Sequence, residues 1–209
     1  MWGLEQERLA GHRRAARPTV GAPIVRLLLK RALDQASVWH QGQIRKYPGV
    51  SVPYVSHVAG VVAVLSRHGF DEEVLAAGAL HDVVEDCGVS LEELSSRFGA
   101  KVAELVEQVS EVDRALPWEA RKRAYLERFP DKPWEAQAIT LADKIDNFES
   151  IVVASRAFGN PWAMFKRGRD AQLERFDELS LLVDRLAPHP LIDEYRAALA
   201  EVRAVPDER

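Results

Sequence analysis

A single cysteine, Cys87, stands in 209 residues. No disulfide can form within the chain, and no cysteine-ligated zinc cluster either; a small buried structural role suits Cys87. No run approaches the roughly 18 apolar residues of a membrane-spanning helix, and no signal peptide is evident, so a cytoplasmic protein is expected. There is no glycine-rich phosphate loop, which excludes the Walker way of holding a nucleotide. Strand runs with hairpin signals are missing, apart from a short extended piece between Tyr47 and Pro53, and no internal repeat is present. The net charge of −4 argues against a general nucleic-acid binder. Any anionic partner must therefore meet a local basic cluster.

What is present is helical periodicity from Ile24 to Val205. The chain reads as one all-α domain of about eight to ten helices over residues 24–205, preceded by a flexible, mildly basic arm at residues 1–23. Val25, Leu28, Leu29, Ala32, Ala36 and Trp39 form the apolar stripe of a first helix. A second starts near Val52 and carries His57. Ser90 and Glu93 form a capping-box pattern, and Pro117 suits the start of a helix over 118–129. A long helix follows over 134–157, then helical stretches over 162–186 and 191–205. Nothing in the pattern fixes an oligomeric state.

The stretch from Asp71 to Asp86 reads as one buried helix, with Asp71 as N-cap and Glu72 and Glu73 in the first turn. Its second half holds His81, Asp82, Glu85 and Asp86. Three carboxylates packed together in an apolar setting repel and lose hydration, at several kcal/mol each, unless a positive charge compensates. A divalent cation is the simplest compensation, since His and Asp both ligate one. The plain alternative is a helix end with a solvated acidic face.

Other residues invite the same question. His57 lies in the first turn of its helix beside an apolar surface, as a satisfied core histidine or as a ligand. Asp143 and Asn147 share a face of the long helix among Ile139, Ala142 and Ile151, where a carboxylate wants a partner. Asp146 and Glu149 are expected to face solvent. Arg45 and Lys46 are adjacent cations in a loop; Arg121, Lys122, Arg123 and Arg128 make a basic helix face. Each set is either solvated or holds anions. His57, His81, Asp82 and Asp143 together make a mixed N/O donor set suited to Mn, Fe or Zn, with Asn147 one turn beyond.

These residues, in this order, resemble the HD-domain phosphohydrolases, and more sharply the hydrolase domain of the RelA/SpoT-homologue family in its small stand-alone forms. The matching stretches are Ala36 to His40, Gly42-Gln43-Ile44-Arg45-Lys46, Pro53-Tyr54 with His57, Ala79 to Asp86, Phe98-Gly99, Arg121-Lys122-Arg123 and Leu141-Ala142-Asp143-Lys144 with Asn147. The resemblance covers roughly residues 28–150.

The resemblance implies an all-helical HD fold and a metal, usually Mn²⁺, on His57, His81, Asp82 and Asp143. It implies that Glu85 and Asp86 position and activate water, with Arg45 and Lys46 along the nucleotide and Asn147 and Lys122 as further substrate contacts. The implied reaction is hydrolysis of the 3′-pyrophosphate of ppGpp and pppGpp to GDP or GTP plus pyrophosphate. The chain departs from that family in having Ser56-His57-Val58 for Asn-His-Pro and Cys87 for Thr. In the family an Arg and a Tyr further on touch the substrate's phosphates; over 162–170 this chain offers Lys166, Arg167 and Arg169 and no tyrosine. That departure leaves another phosphorylated nucleotide, such as a nucleoside phosphate or NADPH, as the alternative substrate.

Overall fold

The computed structural model describes residues 27–111 and 117–207, and structural statements here concern those residues. The basic arm, His12, the first turn predicted from Ile24, and Val112 lie outside them. Ten α-helices make up the described chain: α1 (Leu27–Trp39), α2 (Val55–Arg67), α3 (Glu72–Ala79), α4 (Val83–Cys87), α5 (Leu91–Phe98), α6 (Ala100–Val109), α7 (Trp118–Arg128), α8 (Trp134–Ala157), α9 (Gly168–Val183) and α10 (Pro190–Arg203). Two short 3-10 turns lie at Phe129–Asp131, between α7 and α8, and at Pro161–Met164, so that the helix read from residue 162 begins only at Gly168.

The long helix α8 is the axis. Ala136, Ile139, Leu141, Ala142, Ile145, Phe148 and Ile151 bury almost every side of it, as expected of a helix enclosed by others rather than lying on a surface. It packs against α2, α3, α6 and α10, while α1 closes over α3. Leu65, Leu75, Leu80, Leu105, Phe148 and Tyr195 fill the space between. The Ser90 side chain caps α5 by accepting from the Glu93 N–H at 3.1 Å, as the capping pattern predicts.

One expectation is corrected. The stretch from Asp71 to Asp86 is two helices, and His81 and Asp82 sit in the turn between them. Asp71 takes the N-cap position, but its side chain makes no capping bond. In an unbroken helix two adjacent residues point about 100° apart. The turn brings both side chains to the same side. The loop after α1 is pinned by an antiparallel bridge between Ile44 and Pro53, with the Arg45 N–H on the Val52 carbonyl at 2.8 Å and the Tyr54 N–H on the Gln43 carbonyl at 2.9 Å.

Candidate active site

Four side chains converge where α2, the α3–α4 turn and α8 meet. Nε2 of His57 and Nε2 of His81 face each other at 3.2 Å. Oδ2 of Asp82 is 2.9 Å from the His81 nitrogen and 3.8 Å from that of His57. Oδ1 of Asp143 lies 3.3 Å from His57 and 3.9 Å from His81. Both imidazoles are almost fully buried.

The other nitrogen of each ring is committed. Nδ1 of His57 is 2.6 Å from Oδ2 of Asp146, and Nδ1 of His81 is 2.9 Å from the carbonyl of Gly78. Both acceptors demand an N–H, which turns both Nε2 lone pairs toward the shared space. Two lone pairs and two carboxylates facing one another make a donor set suited to a divalent metal. The excess negative charge also appears in the titration of the groups. Burial disfavours the His81 imidazolium, but Asp82 and Asp143 outweigh it and push its pKa up to about 9. Burial works against ionised Asp143 as well, yet Lys144 and the two imidazoles hold its carboxyl well below the usual carboxylate range. His57, His81 and Asp143 can hold a metal ion, and Asp82 stands beside them.

The candidate ligands are themselves held. The Tyr54 hydroxyl donates to Oδ2 of Asp82; burial and the neighbouring Asp82 keep that phenol protonated. Lys144 pairs with Asp143 at 2.6 Å, and the Asn147 amide donates to its other oxygen. Asp146 is buried, against the expectation that it faces solvent. Its carboxylate bridges His57 and Arg45, the latter at 3.2 Å. Asp143, Asp146 and Asn147 stand at i, i+3 and i+4, so helical spacing already put them on one face.

A cavity of about 550 Å³ opens over this cluster. Its wall includes Arg45, Lys46, Glu85, Asp86, Lys122, Lys144 and Asn147, so every predicted water-activating and substrate residue reaches one space. Glu85 Oε1 accepts the Glu111 N–H at 2.9 Å, and burial pushes the Glu85 carboxyl up. Arg45 also donates to Ser150 at 2.7 Å, and Lys122 pairs with Glu111. Lys46 lies over the Phe165 ring, 5.7 Å from its centre.

The cation that α9 brings to the cavity is Arg175, with Gln172 and Phe176, and not Lys166, Arg167 or Arg169. Arg167 pairs with Glu119, and Arg169 donates to the carbonyls of Val205 and Arg203. Tyr125, on α7, lines the cavity and was not singled out in the sequence.

Residues 32–161 match the family model described as HD domain. The chain belongs to the HD-domain family. A guanosine-3′,5′-bis(diphosphate) 3′-pyrophosphohydrolase MESH1 of Danio rerio is 38% identical over 126 residues, 59% of this chain and 69% of the relative. The Drosophila melanogaster MESH1 is 41% identical over 123 residues, 58% of this chain and 68% of that protein. Among solved structures, one described as a metazoan ortholog of SpoT that hydrolyzes ppGpp superposes with a TM-score of 0.75 at 30% identity, covering 88% of this chain and all of the other. The narrower resemblance drawn from the motifs is thus shown as well. His81 and Asp82, the His-Asp pair singled out in the sequence, are residues of the turn between α3 and α4. No described helix is long and apolar enough to cross a membrane.

Proposed function

We propose that this chain is a metal-dependent hydrolase that removes the 3′-pyrophosphate of guanosine tetra- and pentaphosphate, yielding GDP or GTP and pyrophosphate. The observation that carries the reading is the cluster of His57, His81, Asp82 and Asp143, the last three lining a cavity that also gathers Glu85, Asp86 and the cations Arg45, Lys46, Lys122 and Lys144. Its likeness to the MESH1 relatives supports the choice of nucleotide.

Those four residues would hold the ion, which we take to be Mn²⁺ among the divalent first-row metals. When bound there, such an ion supplies Lewis acidity toward a phosphoryl oxygen and toward water. The chain's own groups do the rest. Glu85, its carboxyl raised by burial, accepts a proton from the attacking water. Asp86 orients that water. Arg45, Lys46, Lys122 and Asn147 bind the substrate and offset its charge, which grows on the oxygens as the bond breaks. The water oxygen joins the phosphorus next to the ribose 3′-oxygen. The bond between that phosphorus and the 3′-oxygen breaks, and the 3′-oxygen takes up a proton to become the hydroxyl. A cytoplasmic setting belongs to the same proposal, since the substrate is a soluble phosphorylated nucleotide.

The test is product analysis on purified protein with added Mn²⁺, using ppGpp, pppGpp, NADPH and common nucleoside phosphates. Pyrophosphate with GDP from ppGpp is expected. Orthophosphate from another nucleotide, with ppGpp untouched, would overturn the substrate while leaving the metal cluster and the water-activating pair in place.

A further inference from the structure

We propose that Gln43 is a positioning residue that holds the Asp86 carboxylate over the reaction centre, and that His40 fixes which way round Gln43 sits. The proposal rests on the reading of Asp86 given above.

Asp86 needs such a support. It lies exposed on α4, a helix of five residues that ends at once in Gly88. A carboxylate there has several rotamers open to it. The Gln43 amide nitrogen donates to Oδ2 of Asp86 at 2.8 Å. At the other end of the same amide, Oε1 lies 2.8 Å from Nδ1 of His40. His40 is buried, and its Nε2 has no hydrogen-bond partner among the described residues. A proton on that nitrogen would be buried without an acceptor, so the ring proton belongs on Nδ1, which faces the Gln43 oxygen at 2.8 Å and the Cys87 sulfur at 3.4 Å, both able to accept it. An Nδ1–H demands the amide oxygen of Gln43, and the amide NH₂ is thereby turned to Asp86. The reverse orientation would set a carbonyl oxygen against the carboxylate.

The backbone prepares the same geometry. Gln43 N–H closes a turn on the His40 carbonyl at 3.0 Å, with Gly42 at φ +82° as its third residue. The turn folds the Gln43 side chain back over the ring it bonds. The His40 ring also lies against Tyr54, centres 4.6 Å apart, and Tyr54 holds Asp82. One buried imidazole therefore supports both a proposed metal ligand and the proposed water-orienting carboxylate.

The experiment is steady-state hydrolysis of ppGpp with Mn²⁺ by the full chain, with metal content and helical circular dichroism measured on each variant. Gln43→Met should lower kcat about tenfold, a usual size for losing a supporting hydrogen bond of this kind. KM should change less than about twofold, and metal content should stay the same. In an Asp86→Asn background the same substitution should cost nothing further. His40→Leu should fall like Gln43→Met, while His40→Asn, whose amide can donate near the place of Nδ1, should restore most of the rate. An undiminished kcat in Gln43→Met, or an equal loss in the Asp86→Asn background, would overturn the role of Gln43. Full activity in Asp86→Asn alone would instead remove the reading of Asp86 itself.

Discussion

A Cβ built on Gly60 would lie 1.7 Å from Oδ1 of Asp146. The missing side chain is therefore the opening in α2 through which the Asp146 carboxylate reaches His57. Gly60 stands three residues after His57, on the same helix face. Gly60→Ala should push Asp146 out, loosen the His57 ring and cost about 1–3 kcal/mol of stability. Affinity for Mn²⁺ should fall about 10–100-fold. Urea unfolding and metal titration measure the two effects; a variant with unchanged metal affinity would show that Asp146 does not orient His57.

Asp146→Leu tests the same bond from the other side. It strips the acceptor from Nδ1 of His57 and the ion-pair partner from Arg45. A loss of metal affinity in the range of about 10–100-fold is expected, with Asp146→Asn milder because its carbonyl still accepts. Isothermal titration with Mn²⁺ ranks the three proteins, and equal affinities would contradict the assignment.

Glu85→Ala should abolish turnover and keep the metal. The pH profile gives a finer check. Burial raises the Glu85 carboxyl, and Lys122 opposes the rise. The base is lost when it is protonated, so kcat should fall on the acid side through a pKa above that of an ordinary glutamate. Lys122→Ala removes an influence that lowers this pKa, so the acid limb should move to higher pH. A limb that stays in place, or moves down, would exclude Glu85 as the group behind it.

Lys132 offers a pH test of stability. Its ammonium is buried, lies 3.8 Å from the centre of the Tyr125 ring and has no hydrogen-bond partner among the described residues. Burial, with Arg128 and Lys144 nearby, lowers its pKa to about 7. An unfolded lysine titrates near 10.4, so between these values the unfolded chain binds more protons and stability rises with pH. Below pH 7 the fold carries the whole cost. Lys132→Met should stabilise the protein there by on the order of 1–3 kcal/mol and flatten the rise above. Denaturation midpoints from pH 6 to 10 decide it.

The helical class, the four residues that converge and the cavity cations Arg45, Lys46 and Lys122 were legible because each sits in a short pattern whose chemistry is local. His81 and Asp82 demanded compensation wherever the backbone ran. The break between α3 and α4 was hidden because no glycine or proline marks Leu80 to Asp82. Asp146 was misread for a different reason. Its spacing from Asp143 was visible, but its partners, Arg45 and His57, lie far away in sequence. Arg175 and Tyr125 were missed likewise: nothing near them distinguishes a cavity-facing residue from a surface one until α7 and α9 are packed.

The proposed ligands come from α2, from the turn after α3 and from α8, with most of the domain's core strung between His57 and Asp143. An ion bound there would act as a cross-link closing long loops of chain, and not only as a reagent. Chelation should thus soften the whole helical body: at 100 times the dissociation constant the bound ion contributes about 2.7 kcal/mol to folding. Thermal melts with and without EDTA would reveal the active site as the domain's keystone.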